Sequence, residues 1–165
     1  QHFYPSDERC GPLYELCRKY NVPVIFHSGD TLAGYVSHPK VKYSHPIHID
    51  DVAVDFPDLK IVIAHMGNPW LIDCAEVMYK NPNVYADISG LVVGEDLHTE
   101  YGQMMKKRIE DLIEYVDPEN HKLLYGTDWP LCHMDQYIEF AKGLNLSETA
   151  SKNLFSGNAQ KLFKI

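Results

Sequence analysis

Four short apolar runs, three closing on a polar residue and one carrying a carboxylate near its end, constrain the fold of this chain more than any other feature. They are Pro23-Val24-Ile25-Phe26-His27, Lys60-Ile61-Val62-Ile63-Ala64-His65, Asn83-Val84-Tyr85-Ala86-Asp87-Ile88 and Lys122-Leu123-Leu124-Tyr125-Gly126-Thr127-Asp128. Runs of this length, rich in β-branched residues, read as buried strands of a parallel sheet. Helical patterns lie between them. Pro12 suits the first turn of a helix with Leu13, Leu16, Cys17 and Tyr20 on its apolar face, ended by Asn21. Residues 28–43 read as a long polar loop. Ser44 then reads as the cap of a helix presenting Ile49, Val52, Ala53 and Phe56 before Pro57 stops it. Asn68-Pro69 reads as the N-cap and first position of a helix turning Leu71, Cys74, Ala75 and Met78 inward. Met105, Ile109, Leu112, Ile113 and Val116 mark the next helix, and shorter ones are expected near 136–142 and 147–154.

Strand–helix alternation at this rhythm implies right-handed βαβ units. The intervals of 38 residues from His27 to His65 and 41 from Asp87 to Asp128 suit a (β/α)8 barrel, which allots about 31 residues per unit before insertions. Four strands cannot close such a barrel. The sequence therefore leaves three options: part of a longer protein, an open flavodoxin-like sheet, or associating half-barrels. The opening Gln1-His2-Phe3 without an initiator methionine, and the ending Leu162-Phe163-Lys164-Ile165, favour the first. Residues 1–165 are accordingly expected to form a single partial domain.

Composition narrows the partners. The formal net charge of −8 argues against nucleic acid. The longest basic run, Lys106-Lys107-Arg108, sits beside Glu110 and Asp111 and reads as a solvated, salt-paired helix face. No stretch is apolar enough to span a bilayer and no signal-peptide pattern opens the chain, so the expectation is a cytoplasmic protein without a membrane partner. Cys10, Cys17, Cys74 and Cys132 form no C-x-x-C pair and read as reduced thiols, Cys17 and Cys74 on apolar helix faces.

The strand-end residues carry the chemistry. In parallel α/β sheets the strand C-termini and the loops after them form the reactive face. His27, His65 and Asp128 would share that face. Imidazole with carboxylate suits one divalent cation, zinc first and manganese as the alternative.

The segments Pro23-Val24-Ile25-Phe26-His27-Ser28-Gly29, Ile63-Ala64-His65-Met66-Gly67 and Tyr125-Gly126-Thr127-Asp128-Trp129-Pro130 resemble the latter half of the amidohydrolase-related family. These are metal-dependent TIM-barrel enzymes that include aminocarboxymuconate semialdehyde and resorcylate decarboxylases. The stretch Asn153 to Phe163 is similar to that family's terminal helix. The resemblance implies that His27 is a metal ligand and His65 an acid/base. It implies that Asp128 both binds the metal and accepts a proton from its water. The family's first-strand His-x-His pair has no counterpart in this sequence, as expected if the barrel's N-terminal half is missing from it.

A hydrolase using metal-activated water on a small organic substrate is the leading expectation. A non-oxidative decarboxylase of a small carboxylic acid is the alternative. A half-barrel active only as an assembly partner is the reading from a different class, and homo-oligomer formation stays open. His45, Asp87 and Trp129 are candidate substrate contacts, with His2 a further one. Asp87 equally suits a cap on the loop through Ser89 and Gly90, and Trp70 and Trp129 equally suit packing at the rim. Gly29, Gly67, Gly90 and Gly126 form no phosphate-binding motif, which argues against a nucleotide cofactor.

Overall fold

In the computed structural model, which describes residues 2–31 and 38–165, β1 (Val24–Phe26), β2 (Ile61–Ile63) and β3 (Val84–Asp87) form where the apolar runs lie. They pair in parallel, with Val24 opposite Ile61 and Ile61 opposite Val84, and Phe26 opposite Ile63 and Ile63 opposite Ala86. This register brings His27 and the Ala64-His65 turn out at the same end of adjacent strands. All three residues of β2 are buried, as a strand covered on both faces requires. The chain divides into two units, Gln1–Ala86 and Asp87–Ile165.

In the first unit α1 spans Gly11–Tyr20, with Pro12 in its first turn and Asn21 closing it in the left-handed region at φ 52°. The face expected to be buried is not. Leu13, Leu16 and Tyr20 are 54%, 50% and 66% exposed, whereas Tyr14 is 2% exposed. Tyr14 packs edge-on against Phe26 and Phe56, and its hydroxyl donates to the Pro5 carbonyl at 2.6 Å. One aromatic side chain thus outweighs the aliphatic stripe in setting the helix rotation.

Helix α2 (His48–Asp55) buries Ile49, Val52 and Ala53 as expected, but Ser44 does not cap it. The Ser44 hydroxyl instead donates to the Val41 carbonyl at 3.0 Å, within a 3-10 turn that ends the expected polar loop. Residues 32–37 of that loop lie outside the described residues. Asn83 closes the far end of α2, its amide donating to the carbonyls of Ala53, Phe56 and Leu59. Ala53 belongs to the last turn of α2, whose carbonyls a helix leaves unpaired, while Phe56 also accepts the Leu59 amide and Leu59 lies beyond the helix. Helix α3 (Leu71–Lys80) buries Leu71, Cys74, Ala75, Val77 and Met78, but it begins after Trp70 rather than at Asn68-Pro69. A 3-10 turn, Ala64–Gly67, occupies the intervening space.

In the second unit the Ile88 amide donates to the Leu124 carbonyl at 3.1 Å, placing β4 (Leu123–Leu124) beside the segment that leaves β3. Helix α4 (Glu100–Val116) buries Met105, Ile109, Leu112 and Ile113. Its basic run is solvated as expected, Lys107 meeting Asp111 at 2.6 Å and Lys106 lying over the Phe140 ring. Helix α5 covers Met134–Lys142. Ser147 caps α6 (Glu148–Lys152), accepting from the Ala150 amide, and one π turn joins it to α7 (Asn158–Phe163). The buried Asn158 amide donates to the carbonyls of Asn120 and Leu123, both at 2.7 Å, so the terminal helix is fixed to the entry of β4. None of the four cysteines forms a disulfide; Cys74 and Cys132 are buried and Cys10 and Cys17 partly so. Among the described residues no helix is long and apolar enough to cross a membrane.

Candidate active site

The loops leaving β1 and β2 are interlocked. Ser28, directly after His27, donates its hydroxyl to the Ala64 carbonyl at 2.9 Å. Gly29 has φ +90°, and a side chain there would run into the Asn68 backbone. Its amide donates to the Ser44 carbonyl at 2.7 Å. Gly67 has φ +65°, and a Cβ there would stand 2.7 Å from Cγ of Pro46. The Asn68 side-chain amide donates to the Asp30 carboxylate at 3.0 Å; Asn68 is not the helix cap its local sequence suggests, because α3 begins three residues later, after Trp70. Both glycines combine a backbone that disfavours L side chains with space no side chain can share.

Two imidazoles meet at this interlock. His65 and Met66 both adopt left-handed conformations, at φ 61° and 47°, so the chain leaves β2 through a sharp turn. The His27 and His65 rings stand edge to face with centroids 5.1 Å apart. His27 Nε2 also lies 3.2 Å from the Asp30 carbonyl oxygen. His45 belongs to the same assembly. Its Nδ1 accepts the Ile47 amide at 3.2 Å, and its ring packs on Trp70 with centroids 4.6 Å apart. His2 is stacked on Tyr43, with Nε2 3.0 Å from the His38 carbonyl oxygen.

The remaining predicted residues lie in the second unit. Asp87 Oδ1 accepts the Ser89 amide at 3.0 Å and also the Ser89 hydroxyl, so this oxygen caps its own loop. Asp128 has φ 61°, and its carbonyl accepts the Leu131 amide at 2.9 Å. A Cβ on Gly126 would stand 3.2 Å from Ser89 Cβ and 3.9 Å from Asp87 Cβ. That glycine therefore lets the approach to Asp128 run alongside Asp87. Trp129 is 72% exposed.

A buried clamp supports this second group of residues. The Tyr137 hydroxyl donates to the Ile88 carbonyl and accepts from the Leu91 amide, fixing the loop that follows Asp87. Cys132 donates to the Val92 carbonyl at 3.4 Å. Burial, and then the nearby Asp128 carboxylate, hold the Cys132 thiol above its ordinary pKa against the opposing Gly90 amide, so it remains a thiol. Neither Tyr137 nor Cys132 stands out in the sequence, because an aromatic on a helix and an isolated cysteine both read as core. Asp30 and Asn68 were also missed as partners, since the bond between them spans 38 positions.

Chemically, the imidazole pair supplies two nitrogen donors at adjacent strand ends, and Asp128 supplies a carboxylate on the second unit. Among the described residues no group of three or more His, Cys, Asp or Glu side chains is gathered tightly enough to hold a metal ion. The donor set nevertheless fits a borderline divalent cation by ligand type.

Three comparisons bear on this geometry. A γ-resorcylate decarboxylase of Polaromonas sp. (strain JS666 / ATCC BAA-500) is 29% identical over 118 residues, which cover 67% of this chain and 36% of that protein. The crystal structure of an uncharacterized TIM-barrel protein, Bb4693 from Bordetella bronchiseptica, superimposes with a TM-score of 0.76 at 30% identity, covering 98% of this chain and 52% of that one. A dihydroxybenzoic acid decarboxylase from Polaromonas sp. JS666, solved with bound manganese and the inhibitor 2-nitroresorcinol, superimposes with a TM-score of 0.68 at 22% identity, covering 98% and 55%. The chain thus spans about half the length of the solved structures it matches, and its α/β fold is that of a partial (β/α)8 barrel. The amidohydrolase family model matches residues 1–165, from the loops that hold His27 and His65 to the turn that carries Asp128, and the chain belongs to that family.

Proposed function

We propose that the complete protein is a divalent-metal enzyme that removes the carboxyl group of a small organic acid without oxidation. The observation that carries this reading is the His27–His65 pair, held edge to face at the ends of neighbouring parallel strands. In this reading residues 1–165 contribute the last four β/α units of one barrel, and His27 and Asp128 hold the cation, zinc or manganese. Such a cation, when bound, supplies Lewis-acid charge to the oxygens of the substrate.

His65 moves the proton. Its ring, in the protonated imidazolium form, gives a proton to the substrate carbon that carries the carboxylate and is left neutral. The carbon–carboxylate bond then breaks, its electron pair returns to the substrate framework, and carbon dioxide leaves. Solvent reprotonates the imidazole. Asp87 keeps the loop after β3 in place through Ser89, and Trp129 forms part of the substrate wall. The named decarboxylase relative supports this choice over hydrolysis. Hydrolysis is the second reading, favoured by the family description, and there Asp128 would accept the proton of the attacking water.

The test is carbon dioxide release from γ-resorcylate by the full-length, metal-loaded gene product, with a His65→Asn variant alongside. General acid catalysis contributes about 10²–10⁴-fold, so the variant should lose at least about 100-fold in kcat while keeping its metal. Full activity in the variant would remove His65 from the chemistry. Hydrolytic turnover of an amide or ester, without carbon dioxide release, would favour the second reading.

A further inference from the structure

His45 sits between two anchor points, and the symmetry of those anchors gives it a place in the site. Ser44 accepts the amide of Gly29, two residues past His27, and Pro46 packs against Gly67, two residues past His65. The third side of this frame is Trp70, whose amide donates to the Gly67 carbonyl at 2.8 Å and whose ring packs on the His45 imidazole. The segment 44–46 is thus fastened to both loops that deliver the strand-end histidines.

The hydrogen bond inside this segment fixes the tautomer. The Ile47 backbone amide can only donate, so His45 Nδ1 must be the acceptor. In the neutral ring the proton therefore resides on Nε2. His45 is thereby made a one-directional donor, its orientation set by the Ile47 amide on one side and the Trp70 ring on the other.

We propose that His45 is a specificity-determining residue whose Nε2–H donates a hydrogen bond to the carboxylate of the substrate. This rests on the reading of the His27–His65 pair as the reacting centre. The residue binds rather than reacts: it selects substrates that present an anionic acceptor and orients that acceptor beside the imidazole pair. A hydrogen bond to a charged acceptor is among the stronger kinds, so its loss should appear chiefly in affinity.

Two conservative variants separate the donor role from a structural one. In His45→Asn the amide oxygen takes the place of Nδ1, which keeps the Ile47 bond and removes the donor. In His45→Gln the amide nitrogen takes the place of Nε2, which keeps the donor and removes the Ile47 acceptor. The experiment is calorimetric titration of the full-length protein and both variants with γ-resorcylate, with metal content measured in each. The expected result is roughly 10- to 100-fold weaker binding by His45→Asn, near-normal binding by His45→Gln, and unchanged metal content. In turnover the same split appears as a raised KM at near-constant kcat.

The reverse order, with His45→Gln the weaker binder, would mean that His45 serves only to hold Ile47 and would overturn the proposal. Equal behaviour of the two variants, whether both normal or both weak, would overturn it as well. A wild-type protein that carries metal yet binds no γ-resorcylate removes the His45 assignment and leaves the metal reading standing. A wild-type protein without metal removes the reading on which the assignment rests.

Discussion

Replacing Tyr137 by Phe should destabilise the protein by an amount that depends on pH in a defined way. The side chain is 0% exposed, and its hydroxyl joins two buried backbone groups, the Ile88 carbonyl and the Leu91 amide. Phenylalanine fills the same space without that oxygen, leaving a donor and an acceptor unpaired. Each unsatisfied buried group costs about 1–3 kcal/mol, so the expected loss at pH 7 from the two is about 2–6 kcal/mol. Burial also holds the Tyr137 phenol well above the ordinary tyrosine value, against the opposing pull of the Leu91 amide. The unfolded chain therefore releases this proton first, near pH 10. Below pH 10 the stabilisation is fully present; above it the wild-type protein loses it. The difference between wild type and Tyr137→Phe should thus narrow by up to about 1.4 kcal/mol per pH unit above 10. Burial raises Tyr14 and Tyr125 in the same direction, but both are present in the two proteins and cancel. Urea unfolding followed by circular dichroism at pH 7, 9, 10.5 and 11.5 measures the effect. A loss below about 0.5 kcal/mol at pH 7, or parallel pH profiles, would refute the clamp.

Gly67→Ala should cost about 2–4 kcal/mol, from the left-handed backbone and from crowding Pro46. It should weaken γ-resorcylate binding more than Gly94→Ala does, because Gly94 has a similar φ of +60° but open space around its Cβ position. Paired urea titrations and calorimetry decide this, and equal costs at the two glycines would discount the contact with Pro46. Asn83→Ala removes the amide that the Ala53, Phe56 and Leu59 carbonyls share, leaving Ala53 without this partner, and should cost about 1–3 kcal/mol. A change under 0.5 kcal/mol would mean that solvent replaces the amide.

What the sequence revealed and what it concealed follow a physical division. The apolar runs marked the strands because β-branched residues favour extended backbone, and β2 is buried throughout as expected, although Ile25 of β1 is 56% exposed. The strand-end histidines were visible for the same reason, since each follows immediately on such a run. Helix rotation was less legible. Around α1 both Leu13-Leu16-Tyr20 and Tyr14 offer apolar surface, and only contacts with Phe26 and Phe56, distant in sequence, settle which is buried. Capping failed because the helices begin later than their local signals suggest, α2 after Ile47 and α3 after Trp70, while Ser44 and Asn68 donate to Val41 and Asp30. The support of the candidate site by Tyr137, Cys132 and the bracket around His45 depends on bonds between residues far apart in the chain. No local pattern encodes those.

The central claim is that His27 and Asp128 hold one divalent cation in the complete protein. Elemental analysis of the full-length gene product, beside its His27→Ala and Asp128→Ala variants, tests it most directly. The account predicts about one zinc or manganese per wild-type chain and loss of most of it in both variants, each still folded by circular dichroism. Wild-type protein without stoichiometric metal, or variants that keep the full amount, would contradict it.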